Sequence, residues 1–518
     1  MKVFLMYRDQ DFNLKAGLPS NAGELTQDLE LVTLFRAMSA GDSFLLEVAK
    51  QAVLASLSEP ETILYRQNIL ADCLERADAV RQMYGIAVEA IERERTVWGW
   101  MSSRYPEGTL HRSVDVLQIF VGLLKKLRKI ADEHGPLFGS EGFRRLFEMF
   151  AGELNDEYIG TVEKHLKRLA FRDGILMSAE LGKGNKGTNY ILRKPWDIRQ
   201  SWVERVQTWV QEVTLRNGSA YVYEIADRDE GGFRALSELR SQGIAHVATA
   251  LAQSTDHILS FFQMLRLELG FYVGCLNLSE QLARKGERTC LPEPVVAGNP
   301  RLSAYGLYDV CLSLSMDAPV VGNDVAGDQK SLLMITGANR GGKSTFLRSL
   351  GVALLMMQCG MFAPAESFQA NVSRGIFTHF KREEDATMQS GKLDEELRRM
   401  SSIVDKITPD STVLFNESFA STNEREGSEI ARQIVRALLE SGVKVFYVTH
   451  MFDLAQGFYQ AKMRQALFLR AERLPDGLRT FRLIEGEPLP TSYGEDLYGR
   501  IFGPAPDDIT PALNRLAQ

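Results

Sequence analysis

Cysteine is scarce in this chain. Five occur, Cys73, Cys275, Cys290, Cys311 and Cys359, an odd number with no CxxC pair. That pattern favours a reducing, cytoplasmic compartment over a disulfide framework. The seven histidines do not cluster with the cysteines, so no zinc site is indicated. Positive charge is not in excess: 60 Lys and Arg stand against 67 Asp and Glu, a net charge of −7. Such a balance lacks the basic footprint of many nucleic-acid binders, although a local basic face can sit on an acidic chain. Long hydrophobic runs are missing too. The longest apolar stretch, "LGVALLMMQCGMFAPA", is too short to span a bilayer and reads as a buried helix behind a glycine-lysine loop. The opening "MKVFLMYRDQDFNLK" meets Arg8 and Asp9 too early for a secretory signal. No internal repeat, low-complexity tract or sustained heptad run is visible.

What is present is ordinary globular composition, 45% apolar and 25% charged, on 518 residues. That length is too great for one hydrophobic core and implies two or three domains. Residues from about 21 to 174 carry apolar side chains at three- and four-residue steps, the helical period. One such run, "SVDVLQIFVGLLKKLRKIADEHG", stops at Gly135-Pro136. From about 171 to 226 the texture becomes strand-like. "GILMSAELGKGNKGTNYILRKP" predicts two strands around a Gly-Lys turn, and "SAYVYEIA" is a further candidate. Helix returns from about 232 to 284, and the Pro/Gly-rich "ERTCLPEPVVAGNPRL" reads as a junction. Beyond it strands and helices alternate, the pattern of an α/β domain with a largely parallel sheet. The expected division is a mainly helical region, 1–295, with a small β element, and an α/β domain, 296–518.

The strongest motif is "LLMITGANRGGKSTFLRSL". An apolar strand leads into Gly337, Ala338, Asn339, Arg340, Gly341, Gly342, Lys343 and Ser344, which fit GxxxxGK[ST], and an apolar helix follows at Thr345. In that context glycines let backbone N–H groups turn inward on phosphate oxygens, and the helix N-terminus adds its dipole. Lys343 is expected to reach the β- and γ-phosphates and Ser344 to ligate Mg²⁺. The bland alternative is an ordinary turn.

A second buried strand, "STVLFNES", ends in Asn416-Glu417. P-loop enzymes place an aspartate at such a strand end to help hold Mg²⁺. An asparagine carbonyl accepts the same hydrogen bond without the charge, so weaker Mg²⁺ retention is expected. Glu417 supplies a carboxylate to polarise the attacking water. Against this stands a structural reading, with Asn416 a strand-end cap and Glu417 a surface charge. A third strand, "KVFYVTH", ends at His450; a strand-end histidine taken alone is more often structural, but in this arrangement it is placed to hydrogen-bond near a γ-phosphate.

The order of these pieces resembles the MutS family of mismatch-repair ATPases, of the ABC-type class. "TGANRGGKST" is similar to the family's TGPN-x-GGKST, and "YVTH" to its switch histidine. "SGKLDEELRRM", from Ser390 to Met400, stands in the place of the signature SGRSTF-x-x-EM. "VLFNESFASTNEREG" stands in that of LLDE-x-GRGTS, and "PVVGND", with Asn323, resembles the loop against which adenine packs. "MFAPAESF", "IFTHF" and "FRLIEGEPLPTSYGEDLYGRIFG" continue the likeness, which is specific over about 300 to 510. "YRQNILADCLE" and "LRLELGFYVGCLNLSEQL" are similar to core and lever segments.

The resemblance implies an α-helical core and lever followed by a P-loop ABC-type ATPase domain. It implies ATP and Mg²⁺ as cofactors and a homodimer through the ATPase domains. Ser390 and Gly391 would then contact the γ-phosphate of the other subunit. Three departures stand out: no mismatch-reading domain precedes the helices, Leu393 and Asp394 alter the signature, and Asn416 replaces an aspartate. A truncated member acting on DNA structures other than mismatches is therefore expected.

DNA contacts would come from Lys125, Lys126, Arg128 and Lys129, or from Lys183, Lys186, Arg193, Lys194 and Arg199. Solvated helix faces account for the same charges. Two other functions compete with a DNA-acting ATPase. One is a nucleotide-gated scaffold that binds a protein partner with little turnover. The other, an SMC-like ATPase, requires long heptad arms, which this chain lacks.

Overall fold

The computed structural model of the chain describes residues 1–97, 106–171, 175–183, 187–193, 230–382, 391–475 and 477–490. The strand candidate 219–226, Ser390, Lys186, Lys194, Arg199 and the segment from 491 onward lie outside them. The chain divides into two compact units that interleave in sequence. The first comprises 1–2, 82–136 and 146–266; the second comprises 3–81, 137–145 and 267–518.

Five helices open the chain: α1 Ala22–Asp28, α2 Leu31–Ser39, α3 Ser43–Ala55, α4 Pro60–Glu75 and α5 Ala77–Thr96. Then come α6 Pro106–His134, α7 Glu141–Glu153 and α8 Asp156–Leu169, the hairpin β1 Met177–Leu181 with β2 Gly187–Leu192, and the 55-residue α9 Glu230–Arg284. Local chemistry sets their ends. Asp42 caps α3 through the N–H groups of Phe44 and Leu45, and Pro60 opens α4. Asn155 caps α8, which has acids in its first turn and bases in its last. The expected stop at Gly135 is present, where α6 gives way to a short 3-10 turn.

In the first unit, Leu110 and Val114 of α6 pack on Ile244 and Ala248 of α9. Phe120 lies 5.3 Å from Phe262, and Phe150 meets Phe261 edge-on at 6.0 Å. The pairing of β1 with β2 is antiparallel, as the Gly-Lys turn predicts. By length and composition, Glu238–Arg284 is long and apolar enough to cross a membrane. Its most apolar window is 61% buried, however. Along this helix Leu265, Leu269, Phe271 and Tyr272 are wholly covered, as in a core helix.

The second unit contains both larger sheets. A four-stranded sheet has the order β3–β7–β4–β5, from Glu293–Val295, Ser367–Asn371, Leu302–Leu307 and Asn323–Ala326. The short α10 Val310–Ser315 lies between β4 and β5 in the chain. A six-stranded sheet has the order β12–β11–β6–β10–β9–β8. Its strands are Arg479–Glu485, Ala466–Arg473, Leu332–Gly337, Lys444–Val448, Thr412–Asn416 and Ile376–Phe380. All are parallel except the antiparallel edge strand β12. The connecting helices are α11 Lys343–Gln358, α12 Lys392–Val404, α13 Glu424–Glu440 and α14 Phe452–Gln460.

Strands covered on both faces read as unbroken apolar runs, which is how "LLMI", "VLF" and "VFYV" stand in the sequence. Leu332, Met334, Val413, Phe415, Val445 and Tyr447 form one core with Ala431 and Val435 of α13. The alternate residues face the other way, where Leu414 touches α11 at Gly351. The run expected to be a buried helix is α11, buried along most of its length. The first helices belong to this unit as well: Asn21 donates to the carbonyl of Ile376 at 2.7 Å. The N-terminal segment is held on α9. Glu268, fully buried, accepts the N–H groups of Leu5, Met6 and Phe12, and the Tyr272 hydroxyl donates to Leu5.

Candidate nucleotide site and family membership

Parallel register brings the candidate residues together. Val448 of β10 pairs with Ile335 of β6 on one side and with Asn416 of β9 on the other. The carboxyl ends of three strands therefore lie level, where ligands bind in open α/β sheets.

The loop after β6 is shaped by its neighbours. Gly337 has φ +109° and Gly342 φ +89°, conformations that glycine adopts without a Cβ penalty. A Cβ on Gly341 would stand 2.6 Å from that of Ala471 on β11, so close approach also demands glycine there. Gly342 caps α11. Arg479 of β12 donates to the carbonyl of Asn339 at 2.7 Å and braces the outer side of the loop. Lys343 is buried, and its Nζ donates to the carbonyls of Gly337 and Ala338 at 3.0 and 2.9 Å. Burial brings its pKa down to about 8; the Glu417 charge opposes that shift and Arg479 adds to it.

Ser344 Oγ donates to Asn416 Oδ1 at 2.9 Å, the pair expected to share a metal. Glu417 follows in the left-handed region, φ 54°, strain of about 1 kcal/mol or more that its surroundings hold. Its N–H donates to Val448, and its carboxylate lies 2.7 Å from His450 Nε2. The His450 hydrogen bond holds the Glu417 carboxyl below the ordinary carboxylate range, against partial burial. Asn416 is thus tied to the helix after the loop, and Glu417 is paired with His450.

These oxygens suit a hard cation. No cluster of three or more His, Cys, Asp or Glu able to hold a metal occurs among the described residues. A cation here needs phosphate oxygens and water to complete its shell, as Mg²⁺ does in nucleotide sites. The donor set fits Mg²⁺ bound together with a phosphate chain.

Beside the loop lies a largely apolar cavity of about 370 Å³. Val320, Val321, Asn323, Arg340, Thr345 and Phe481 are among its walls. Asn323 is placed at this cavity, but its amide is committed to β12. Its Oδ1 accepts the Leu483 N–H at 2.7 Å, and its Nδ2 donates to the Phe481 carbonyl at 3.2 Å. Asn323 therefore fixes the part of the wall that Phe481 lines. Gly391 stands apart from the loop, as the N-cap of α12 with no side-chain cap and open space around its Cα. Sequence reading missed Arg479, Phe481 and the buried pair His379 and Glu396, since strand pairing brings the first three here and the packing of α12 the last. In the first unit, Lys125 pairs with Glu163, Lys126 with Glu89, Arg128 with Asp132 and Lys129 with Glu133.

Comparison with known proteins decides the family. The model of the MutS2 N-terminal domain matches residues 58–285, and that of MutS domain V matches 333–506. The chain belongs to the MutS family. It is 36% identical to the DNA mismatch repair protein MutS of Thermotoga maritima over 339 residues, 65% of this chain and 42% of that protein. The corresponding protein of Flavobacterium psychrophilum is 28% identical over 312 residues, 58% of this chain and 34% of its own. The Endonuclease MutS2 of Thermus thermophilus is 33% identical over 192 residues, 36% of this chain and 24% of its own. The chain thus spans from about a quarter to two-fifths of the length of these MutS-family relatives. Its helical half matches a MutS2 model, a distinction within the family that the sequence motifs had not drawn.

Proposed function

We propose that the chain is a MutS-like ATPase, with a P-loop ATPase domain of ABC type, that acts on DNA structures in repair or recombination without mismatch specificity. The observation that carries this reading is the convergence of Lys343, Ser344–Asn416 and Glu417–His450 on three aligned strand ends. The backbone N–H groups from Gly337 to Thr345 cradle the phosphates. Lys343 exchanges its two carbonyl partners for phosphate oxygens, a trade that favours its charged form. Ser344 and Asn416 hold Mg²⁺, which neutralises charge on the phosphate chain when bound. Glu417 orients the water for in-line attack, and His450 fixes the Glu417 carboxylate and senses the γ-phosphate. The base sits in the apolar cavity, against Phe481.

The uncapped N-terminus of α12, with Ser390 and Gly391, completes the site of a second copy, so ATP holds a homodimer together. Five cysteines without a disulfide, four of them buried, suit a reducing cytoplasm. DNA is bound through the helical region, with Lys183 and Arg193 of the hairpin making phosphate contacts. ATP hydrolysis by the pure protein, stimulated by duplex or branched DNA in a salt-sensitive way, is the expected result. Nucleotide binding without turnover or DNA response would overturn it. That outcome would favour the second reading, a nucleotide-gated scaffold for a protein partner. The carboxylate pairing of all four bases from Lys125 to Lys129 is the observation on its side.

A further inference from the structure

Behind Glu417 lies a buried polar network that the chemistry above does not use. The turn after β9 is held in an uncommon shape, with Glu417 at φ 54° and Phe419 at φ 62°. Glu396 of α12, 3% exposed, accepts the Phe419 N–H and the Ser421 hydroxyl through one oxygen, both at 2.9 Å. His379 of β8 is fully covered and stacks on Phe419, with ring centroids 5.1 Å apart. Its Nε2 lies 2.9 Å from the Glu396 carbonyl, and its Nδ1 lies 2.7 Å from Ser418 Oγ. A carbonyl only accepts, so the ring proton is on Nε2 and Nδ1 faces the hydroxyl. Burial lowers the His379 pKa to about 4, and Arg399 and Arg382 add to the shift, so the ring is neutral at working pH. Tyr447 of β10 closes the network by donating to the Ser418 carbonyl at 2.7 Å.

Surface helices do not need such a tether. α12 already buries Met400 and Ile403 in the sheet's core, whereas the bonds of Glu396 and His379 converge on one turn, next to Glu417. Buried polar networks fix geometry, because a buried donor or acceptor left unpaired keeps its full desolvation cost. We propose that Glu396 and His379 are positioning residues that couple the turn carrying Glu417 to α12, so that nucleotide at the strand ends sets the placement of the helix end at Gly391. This rests on the ATPase reading and names how its two halves communicate.

The test compares wild type, Glu396→Ala, Glu396→Gln and Ser421→Ala in the full chain. It reads ATP affinity, kcat, and ATP-induced hydrogen-exchange protection along 392–404. Glu396→Ala is expected to leave ATP affinity within about twofold, to lower kcat about tenfold or more and to abolish the ATP-induced protection of α12. Glutamine keeps the accepting oxygen and is expected to restore all three. Ser421→Ala, which removes one bond, is expected to give a partial loss and serves if Glu396→Ala fails to fold. Wild-type turnover with unaltered α12 protection in Glu396→Ala, or in Ser421→Ala where the former does not fold, overturns the coupling alone. Failure of the wild-type chain to bind ATP overturns the ATPase reading and the coupling with it.

Discussion

Asn416 is where the proposed nucleotide site departs from the usual phosphate-loop pattern, which has an aspartate at that strand end. Its amide oxygen already accepts the Ser344 hydroxyl, so position and hydrogen bonding are kept while the charge is lost. Asn416→Asp is expected to lower the half-saturating Mg²⁺ concentration by roughly fivefold, the size of about 1 kcal/mol. A Mg²⁺ titration of ATP hydrolysis reads it, and a weaker Mg²⁺ response would show that the amide suits this site better. Lys343 carries a pH signature. Burial brings its folded pKa to about 8, below the ordinary lysine value of 10.5. The unfolded chain therefore binds more protons between these values, and the Lys343 contribution to stability rises with pH across that window. Phosphate binding favours the opposite form. ATP affinity is expected to fall as pH rises through about 8, with proton uptake on binding, measurable by calorimetry in two buffers. The loop, Glu417 and His450 were legible in the sequence because each sits at the end of an apolar strand. The Asn323 bonds were not, because they depend on β12, about 160 residues away.

At the scale of elements, the edge strand β12 braces the site from outside the loop and the three aligned strand ends. It holds Asn339 through Arg479 and the cavity wall through Asn323. Asn323→Ala leaves the Leu483 N–H without its partner, and a loss of about 1–3 kcal/mol is expected. Denaturant unfolding measures it, alongside a weaker ATP affinity; unchanged values would mean β12 is held by its ladder alone. Parallel strands and helices were readable from unbroken apolar runs and glycine-lysine punctuation. Which helix each base faces was not. "LLKKLRKI" reads as a basic stripe, yet the acids that meet Lys125 and Lys126 come from α8 and α5, far along the chain.

Over the whole molecule, compact units interleave where the sequence suggested a boundary near 295, which stands as a proposal. The reason lies in contacts that no local pattern announces, such as Glu268 gripping residues 5–12 across more than 250 positions. Glu268→Ala orphans three buried N–H groups and is expected to destabilise the second unit by about 3 kcal/mol or more. Thermal unfolding of the full chain reads this, and an unchanged midpoint would remove the N-terminal segment from the fold's supports.

The most direct test of the site is Mg²⁺-dependent ATP hydrolysis by the full chain, set against Glu417→Gln, with and without branched DNA at two salt concentrations. Turnover that DNA stimulates at low salt, together with ATP retained but not hydrolysed by Glu417→Gln, is the expected result. Equal turnover in Glu417→Gln, or none in the wild type, contradicts it.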